Sequence, residues 1–305
     1  FFKQKTAYEM PGGGHVELNF TKMQGAGNDY IYIDCRAAGL PPDAAAWAVQ
    51  LSRRHFSVGA DGVIYLCPPL RADGDAAMRM FNADGSEGKM CGNAIRCVAK
   101  YLYDNGIVPR DDLTIEAGGT VHRLHLYTRF GTVGLVTVDM GKPAFEPANV
   151  PVMLEGERVI DRPVTIAGGE YRITCLSMGN PHCVVFADRV DEVDVAHLGP
   201  QFEHADIFPA RTNTEFIRVV NRTTIKMRVW ERGNGETRAC GTGCGSIAAA
   251  LRLLGLSGDE LAISMPGGEL TVSLTASGGS VQDIYLTGPT NVVCTGDILD
   301  EDVMG

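Results

Sequence analysis

The feature that most constrains the fold of this chain is an internal duplication of one loop motif. The first copy, 78–93, ends in Cys91-Gly92-Asn93, and the second, 227–242, ends in Cys240-Gly241-Thr242. Corresponding residues are 149 positions apart, and in both copies an apolar, strand-like run leads into a glycine-rich loop. A helix-like run of small residues follows each Cys-Gly step. The duplication predicts two related halves, each contributing one cysteine from the same kind of loop.

Further landmarks recur at an interval of 152 residues. Asn28 corresponds to Asn180, and Asp61 corresponds to Asn213. Each half also closes on a strand-like run and a glycine-proline turn, at 136–143 and 284–289. Because these landmarks occur in the same order, chance similarity does not explain them. A chain of 305 residues also has the length of two domains of about 150 residues each.

Alternating β-branched residues predict strands, and longer runs of small and apolar residues predict helices. The predicted strands are 31–33, 63–65, 133–138, 164–173, 224–229 and 270–274, and the predicted helices are 44–52, 94–103 and 246–254. Strands outnumber helices in both halves, which predicts an α+β fold of two pseudo-symmetric domains rather than a doubly wound parallel sheet. We expect a first domain at 17–138 plus 284–302, a second at 139–283, and a leader outside the fold at 1–16.

Composition narrows the class of protein. The chain is 45% hydrophobic and 21% charged, which is typical of a globular protein, and no apolar run approaches the roughly 18–20 residues that span a membrane. A formal net charge of −10 argues against a nucleic-acid-binding surface. The nine cysteines include no CxxC pair, and their spacing is typical of neither a disulfide framework nor a zinc site. We therefore expect a cytoplasmic protein with no nucleic-acid or membrane partner and no metal.

Cys91 and Cys240 each precede a predicted helix, and this position suits acid/base chemistry. The first amides of a helix lack internal partners and carry partial positive charge, so a thiolate there is stabilised and its pKa falls from about 8.5 towards neutrality. The amides of Gly92-Asn93 and Gly241-Thr242 can hold a carboxylate in the same way. One thiolate can then remove the α-proton of an amino acid while the other thiol protonates the opposite face. The pattern indicates reversible inversion at an α-carbon.

A single cysteine beside glycine is most often a small buried hydrophobic residue, and only the duplication favours a functional role for Cys91 and Cys240. Cys244, one helical turn after Cys240, is either a packing residue or a thiol that reacts off the pathway. The structural interpretation holds for Cys35, Cys67, Cys97, Cys175, Cys183 and Cys294.

Two further polar residues lie beside repeat landmarks. His182 is either a turn histidine or a group that orients or charges a nearby thiol, and it lies two residues after Asn180. Glu231 corresponds to Asn82 in the other copy, which favours a place in the site over the role of an ordinary strand-end acid.

Other motifs near the loops are weaker signals. Glu87 and Glu236 recur four residues before each cysteine, where they can simply fix the loop, and we leave them out of the site. The segment 85–89 lacks the spacing of a phosphate loop, and Gly25-Ala26-Gly27 lacks the rest of a dinucleotide fingerprint. We therefore expect a mechanism that uses no cofactor.

Five motifs in combination resemble the diaminopimelate epimerase family. They are KMQGAGND at 22–29, FNADGSE at 81–87, MCGN at 90–93, SMGNPH at 177–182 and ACGTG at 239–243. The resemblance runs from about residue 17 to the C-terminal region. It implies two similar domains, each a mixed sheet wrapped around a central helix, with the site between them. It also implies interconversion of LL- and meso-2,6-diaminoheptanedioate, on the route to lysine and peptidoglycan precursor.

The resemblance also implies roles for individual residues. The acid/base pair is Cys91 and Cys240, supported by His182 and Glu231. The reacting carboxylate is held by Gly92, Asn93, Gly241 and Thr242, and the reacting amino group by Glu231. The distal amino-acid end is read by Asn82, Asn180, Asn213 and Arg232, with Asn28 completing the pocket. Members commonly form homodimers, and Tyr285 resembles the interface tyrosine of the family.

The chain departs from the family pattern beside both cysteines. Cys244-Gly245 replaces a small residue followed by cysteine, and Ala94 stands where glycine is common. Neither change removes a proposed catalytic group, although the unusual thiol can alter the sensitivity to oxidation.

Three alternative functions stay open from the sequence. One is a racemase or epimerase of the same fold that acts on proline, hydroxyproline or histidine. The proline type usually carries histidine where this chain has Asn93, whereas the histidine type is harder to separate. Another is a thiol-dependent hydrolase or transferase, which needs one nucleophile and a dedicated base and is disfavoured by the paired loops. The third is a binding protein that holds diaminopimelate without exchanging its α-proton.

Overall fold

The computed structural model describes residues 18–299, so the leader expected at 1–16 lies outside the described residues. The chain forms two compact units. The first extends to Val138 and resumes at Pro289, and the second is Asp139–Gly288.

The described part of the first unit contains nine strands and two helices. The strands are β1 (Leu18–Gly25), β2 (Asn28–Asp34), β3 (Gly62–Cys67), β4 (Ala76–Asn82), β5 (Glu87–Gly88), β6 (Asp112–Ala117), β7 (Thr120–Arg129), β8 (Thr132–Gly141) and, near the end of the chain, β18 (Asn291–Ile298). The helices are α1 (Ala44–Leu51) and α2 (Gly92–Asp104). The pairs β2–β3 and β4–β6 are parallel. The pairs β18–β1, β1–β2, β3–β4, β4–β5, β6–β7 and β7–β8 are antiparallel.

The second unit is built from the remaining elements. Its strands are β9 (Arg162–Ile166), β10 (Gly169–Ser177), β11 (Pro181–Phe186), β12 (Asn213–Asn221), β13 (Thr224–Glu231), β14 (Gly235–Thr237), β15 (Glu260–Met265), β16 (Gly268–Ser277) and β17 (Ser280–Pro289). Its helices are α3 (Val195–Glu203), α4 (Gly241–Leu253) and a 3-10 turn at Val190–Glu192. The pairs β11–β12 and β13–β15 are parallel. The pairs β9–β10, β10–β11, β12–β13, β13–β14, β15–β16 and β16–β17 are antiparallel.

The two units have the same strand topology. Replacing β1 to β8 by β10 to β17, and β18 by β9, converts the pairings of the first unit into those of the second. Helices α1 and α3 occupy corresponding places in this order, as do α2 and α4. The predicted α+β fold is confirmed: two pseudo-symmetric domains, each a mixed sheet around a central helix.

The central helices α2 and α4 are buried on nearly all sides. All residues of α2 from Gly92 to Leu102 are buried, and so are those of α4 from Gly243 to Leu251. Helix α2 packs on β1, β2, β6 and β7, and α4 packs on β10, β11, β12, β15 and β16. A helix enclosed by a sheet in this way is fixed by packing along its whole length. The first residue of each helix therefore has a fixed place, and each follows a cysteine of the duplicated motif.

Three details differ from the sequence-based expectations. The stretch predicted as one strand at 164–173 is the hairpin β9–β10, because Ala167 and Gly168 take positive φ angles of 56° and 75° and form a two-residue turn. Helix α3 was not predicted, since it is short and contains Pro200, which normally disfavours a helix interior. The return to the first unit lies at Pro289 rather than at 284, because β17 stays paired with β16 through Thr287.

Among the helices of the described residues, none combines the length and the apolar character needed to cross a membrane.

Candidate active site

In the first unit, Cys91 is the residue that caps α2. Its backbone is extended, with φ −132° and ψ 120°, and its carbonyl accepts the first helical hydrogen bond from the amide of Ile95 at 2.9 Å. The thiol lies at the open end of the helix, beside amides that have no partner inside it. The Sγ atom donates to Oδ1 of Asn28 at 3.3 Å. The structure therefore brings together two of the predicted site residues of this unit.

A charged network fixes Asn28. Its Nδ2 atom donates to Oδ2 of Asp61 at 2.6 Å, and the other carboxylate oxygen of Asp61 accepts from Arg54 at 3.0 Å. Arg54 also contacts Asp29 at 2.6 Å. Because Asp61 takes the amide group of Asn28, the carbonyl oxygen of Asn28 is the atom that faces Cys91.

Arg96 is a residue of α2, and its side chain contacts the first residues of the same helix. Its side chain is fully buried, and it donates to the carbonyl of Gly92 at 3.1 Å and to Oδ1 of Asn93 at 2.8 Å. The side chain of Asn93 is 2% exposed and turns inwards to this guanidinium. Asn93 therefore offers its backbone amide, rather than its side chain, to a ligand at the helix start.

In the second unit, Cys240 caps α4 with the same geometry. Its φ and ψ angles are −131° and 110°, and its carbonyl accepts from the amide of Cys244 at 3.0 Å. The Sγ atom lies 3.5 Å from Oγ1 of Thr242, and this hydroxyl in turn accepts from Nδ2 of Asn180 at 3.3 Å. Three predicted site residues thus form one chain of contacts.

His182 continues this chain into the core. The ring is fully buried on β11, where Nε2 lies 3.0 Å from Oδ1 of Asn180 and Nδ1 lies 2.7 Å from Oε1 of Glu215. The histidine is therefore not an exposed turn residue. It connects a buried carboxylate to the polar groups around Cys240.

Glu231 lies beside the Cys240 thiol at the end of β13 and hydrogen-bonds the hydroxyl of Thr237. Burial raises the pKa of Glu231, although the Thr237 hydroxyl and the nearby His182 favour its ionised form. The pKa of Cys240 is raised well above its usual value, first by burial and then by the carboxylates of Glu231 and Glu215. The lowered pKa expected for a cysteine at a helix start is wrong for Cys240, because these effects outweigh the helix amides.

The residues assigned to the distal end of the substrate have structural contacts of their own. Asn213 donates to the carbonyl of Pro181 at 2.7 Å and accepts from the backbone amide of Arg232 at 2.9 Å, so it fixes the turn that carries Arg232. The exposed side chain of Arg232 donates to the carbonyl of Ala210 at 2.8 Å. Asn82 lies at the end of β4 and donates to Oγ of Ser86 at 3.0 Å.

The loops before the two cysteines are fixed in the same way in both units. Arg79 donates to Glu87 at 2.9 Å, and Arg228 donates to Glu236 at 2.8 Å. The two acids that we left out of the site therefore tie their loops to the preceding strand. This is the structural role that their position indicated.

None of the nine cysteines, which all lie within residues 18–299, forms a disulfide. Burial raises the pKa of Cys35 to about 12 and that of Cys97 to about 11, and Cys175 and Cys183 are also buried, so these four are core residues. Cys67 is partly buried and Cys294 is exposed. Cys244 is fully buried with Sγ 3.6 Å from Sδ of Met265, the surroundings of a packing residue.

Sequence reasoning missed Glu215 and Arg96 and used Asp61 only as a landmark. A signal for Glu215 was present, since Asn213 and Glu215 are two residues apart on a strand and so share one face. The duplication does not mark Glu215, because its counterpart in the first half is Val63. Arg96 likewise corresponds to Gly245.

Tyr285 lies on β17 between Ile284 and Leu286, which are both fully buried. Alternation along the strand places its side chain on the opposite, partly exposed face. No cluster of three or more metal-binding side chains is found among residues 18–299.

Comparisons with known proteins agree with the fold and identify a family. The family model described as diaminopimelate epimerase matches residues 20–146 and 174–293. A diaminopimelate epimerase of Desulfovibrio desulfuricans is 45% identical over 92% of this chain and 98% of its own length. One of Acetivibrio thermocellus is 43% identical, with the same coverage. A crystal structure of a probable proline racemase from Agrobacterium radiobacter shares the fold, with a TM-score of 0.69, 18% identity and 92% of both chains covered.

The family match and these relatives define an isomerase of the racemase and epimerase class. Within this class, the chain belongs to the diaminopimelate epimerase family, as its motifs predicted.

Proposed function

We propose that this chain interconverts LL- and meso-2,6-diaminoheptanedioate by acid/base catalysis with Cys91 and Cys240. Membership of the family supports the substrate, because its relatives carry the name of this activity. The observation that carries the mechanism is the matched position of the two thiols. Each caps a buried helix with nearly the same backbone angles, beside amides that suit a carboxylate.

The reacting amino-acid end is held by backbone and by one acid. The amides of Gly92, Asn93, Gly241 and Thr242 hold its carboxylate, and Glu231 holds its ammonium group. As the α-proton leaves, negative charge develops on the carboxylate oxygens. Amides that already point at these oxygens stabilise that charge without reorganisation. Asn28, Asn82, Asn180, Asn213 and Arg232 read the distal amino-acid end.

Inversion needs two proton transfers at one carbon. One cysteine, as thiolate, takes the α-proton and becomes a thiol, while the electron pair of the C–H bond passes into the carboxylate. The other cysteine gives its S–H proton to the opposite face and becomes a thiolate. The reverse reaction exchanges the two roles, so the residues need no external acid, base or cofactor.

Glu231 links substrate binding to the charge of Cys240. Burial, and after it the carboxylates of Glu231 and Glu215, raises the pKa of the thiol and keeps Cys240 protonated when no cation is bound. A substrate ammonium against Glu231 neutralises this repulsion and favours the thiolate. The base is therefore formed when the substrate is in place.

Deuterium incorporation tests the proposal. LL-diaminopimelate incubated with the protein in deuterated water should give the meso form, with deuterium at the inverted α-carbon. Absence of both label and inversion would exclude the function. Label in proline or histidine, but not in diaminopimelate, would instead identify one of the other racemases.

Two alternatives give different results in the same assays. A binding protein should bind diaminopimelate without deuterium exchange, and a thiol hydrolase should form a stable acyl-enzyme with a chromogenic ester. Under the proposed function the protein acts in the cytoplasm, in lysine and peptidoglycan precursor synthesis. Its partner is a small-molecule amino-acid substrate. The protein forms a homodimer, and the partly exposed Tyr285 lies in the interface.

A further inference from the structure

Glu215 is the most deeply buried acid near the proposed site, and the mechanism above gives it no role. It is 0% exposed, lies on β12, and contacts His182, which is also 0% exposed, at 2.7 Å. Within residues 18–299, His182 is the only cationic group within ion-pair distance of Glu215. The second carboxylate oxygen, Oε2, is buried without a hydrogen-bond partner.

A buried carboxylate without a neighbouring cation is strongly unfavourable. An imidazolium at His182, with a proton on both ring nitrogens, would supply the cation that a buried Glu215 carboxylate needs. In that form, Nδ1 donates to Glu215 at 2.7 Å and Nε2 donates to Oδ1 of Asn180 at 3.0 Å. This donation fixes the Asn180 amide, because its carbonyl oxygen must face the ring.

The orientation of Asn180 determines that of the next group. Its Nδ2 atom points to Oγ1 of Thr242 at 3.3 Å and donates to it. The hydroxyl hydrogen of Thr242 is then available to Cys240, whose Sγ lies 3.5 Å away. A neutral His182 with its proton on Nδ1 would accept at Nε2, turn the Asn180 amide over and draw the Thr242 hydrogen towards Asn180.

We propose that Glu215 is a positioning residue that holds His182 as an imidazolium and, through Asn180 and Thr242, aims a hydroxyl hydrogen at the sulfur of Cys240. This inference rests on the proposed function. It makes His182 a fixed charge rather than a base that accepts a proton from the thiol. The acids that face His182 are Glu215 from β12 and Glu231 from β13.

Two features show that this arrangement is specific to the second unit. A side chain on Gly243 would place its Cβ 2.8 Å from Oε1 of Glu215, so only glycine leaves room for the carboxylate beside α4. At the corresponding positions of the first half, Val63 replaces Glu215 and Tyr30 replaces His182. Cys91 therefore has no counterpart of this ion pair, and the two proposed acid/base groups are supported differently.

The charge of His182 can be measured without turnover. Long-range ¹H–¹⁵N correlation spectra of ¹⁵N-labelled protein at pH 7.5 should show both ring nitrogens of His182 protonated, with the signal assigned by its loss in His182→Gln. A single protonated nitrogen in the wild-type protein overturns the proposal. Because this readout is independent of catalysis, it separates the inference from a failure of the proposed function, which the deuterium assay would reveal.

The effect on the reaction is tested with Glu215→Gln, which keeps the shape and removes the charge. We expect one ring nitrogen of His182 to lose its proton, and kcat to fall about 10- to 100-fold, as for loss of a hydrogen bond to a charged group. KM should change less, because the variant leaves the proposed carboxylate- and ammonium-binding groups unchanged. Glu215→Asp, which keeps the charge, should restore part of kcat.

Two further variants separate positioning from structural support. Thr242→Val should lower kcat as Glu215→Gln does, and the double variant should be no worse than either single one, since both act on one hydrogen bond. Glu116→Gln removes another buried carboxylate, which accepts from the amides of Leu70 and Arg71, and should leave kcat and the pH–rate profile unchanged. Additive losses in the double variant, or an equal loss in Glu116→Gln, would contradict a positioning role.

Discussion

Cys91 and Cys240 have nearly identical backbone angles but opposite electrostatic surroundings. The helix after Cys91 carries the buried Arg96, whereas Cys240 lies close to the carboxylates of Glu231 and Glu215. The same backbone position therefore places the two thiols in different electrostatic surroundings. The two copies thus share their backbone geometry and differ in the charge around the thiol.

Removing either cysteine of the pair should abolish inversion. Cys91→Ala and Cys240→Ala should each lower turnover of diaminopimelate by at least about a thousandfold, since one of two required proton transfers loses its group. Chiral chromatography of the product measures this. Cys244→Ala is the matched control, because this thiol packs in the core against Met265, and its turnover should stay within about threefold of wild type. Near-normal turnover in Cys91→Ala or Cys240→Ala would remove that residue from the mechanism.

Neutralising Glu231 should make Cys240 a stronger acid. The Glu231 carboxylate raises the pKa of the thiol, so Glu231→Gln removes one cause of the increase and the thiolate forms at lower pH. The rate of Cys240 alkylation by iodoacetamide, followed by peptide mass spectrometry from pH 6 to 10, should reach its midpoint at lower pH. Glu236→Gln removes the acid paired with Arg228 and should leave the midpoint where it is. An unchanged or higher midpoint in Glu231→Gln would contradict the assigned cause.

The elements that the sequence predicted well are those with a strong local pattern. Helix α1 was expected at 44–52 and lies at Ala44–Leu51, and α2 was expected at 94–103 and lies at Gly92–Asp104. Helix α4 begins at Gly241 rather than at 246, because burial of glycines and small residues on every side overrides their low helix propensity. Local propensity also does not predict α3 or the turn at Ala167 and Gly168.

Repetition alone made only part of the proposed site predictable, because His182, Glu231 and Arg232 have no identical counterpart in the first half. Cys91, Cys240, Asn28 and Asn180 stand out because they recur, whereas Glu215 has no counterpart in the other half. Its role depends on which side chains approach it in three dimensions. A pattern along the chain does not contain that information.

At the start of α4, Gly243→Ala tests how an element fixes a side chain. The new Cβ would lie 2.8 Å from Oε1 and 3.2 Å from Cγ of Glu215, so the carboxylate must move. We expect a cost of about 1–3 kcal/mol from overpacking, which exceeds the gain of about 1 kcal/mol from better helix propensity. Thermal unfolding should show a lower Tm, and turnover should fall with it. Gly258→Ala, with nothing within 4 Å of its Cβ, should leave both unchanged. A more stable, fully active Gly243→Ala variant would show that neither stability nor turnover requires the observed position of the Glu215 carboxylate.

On the scale of the whole molecule, the two units keep one order of strand pairings while their sequences diverge. Both retain the helix inside the sheet, the capping cysteine and the arginine–glutamate pair that ties its loop. Topology was therefore predictable from the duplication, because backbone pairing tolerates many side chains.

Tyr285 provides a test of assembly. Its ring lies on the partly exposed face of β17, and aromatic residues are enriched in protein interfaces. We expect the wild-type protein to elute with light scattering at twice the mass of one chain. Tyr285→Glu would bury a charge in the interface and should shift the mass to that of a monomer. Tyr127→Glu places the same charge on an exposed tyrosine of β7 and should leave the dimer intact. Circular dichroism of both variants verifies that the fold is retained. A monomeric wild type, or a Tyr285→Glu variant that stays dimeric, would place the interface elsewhere or exclude it.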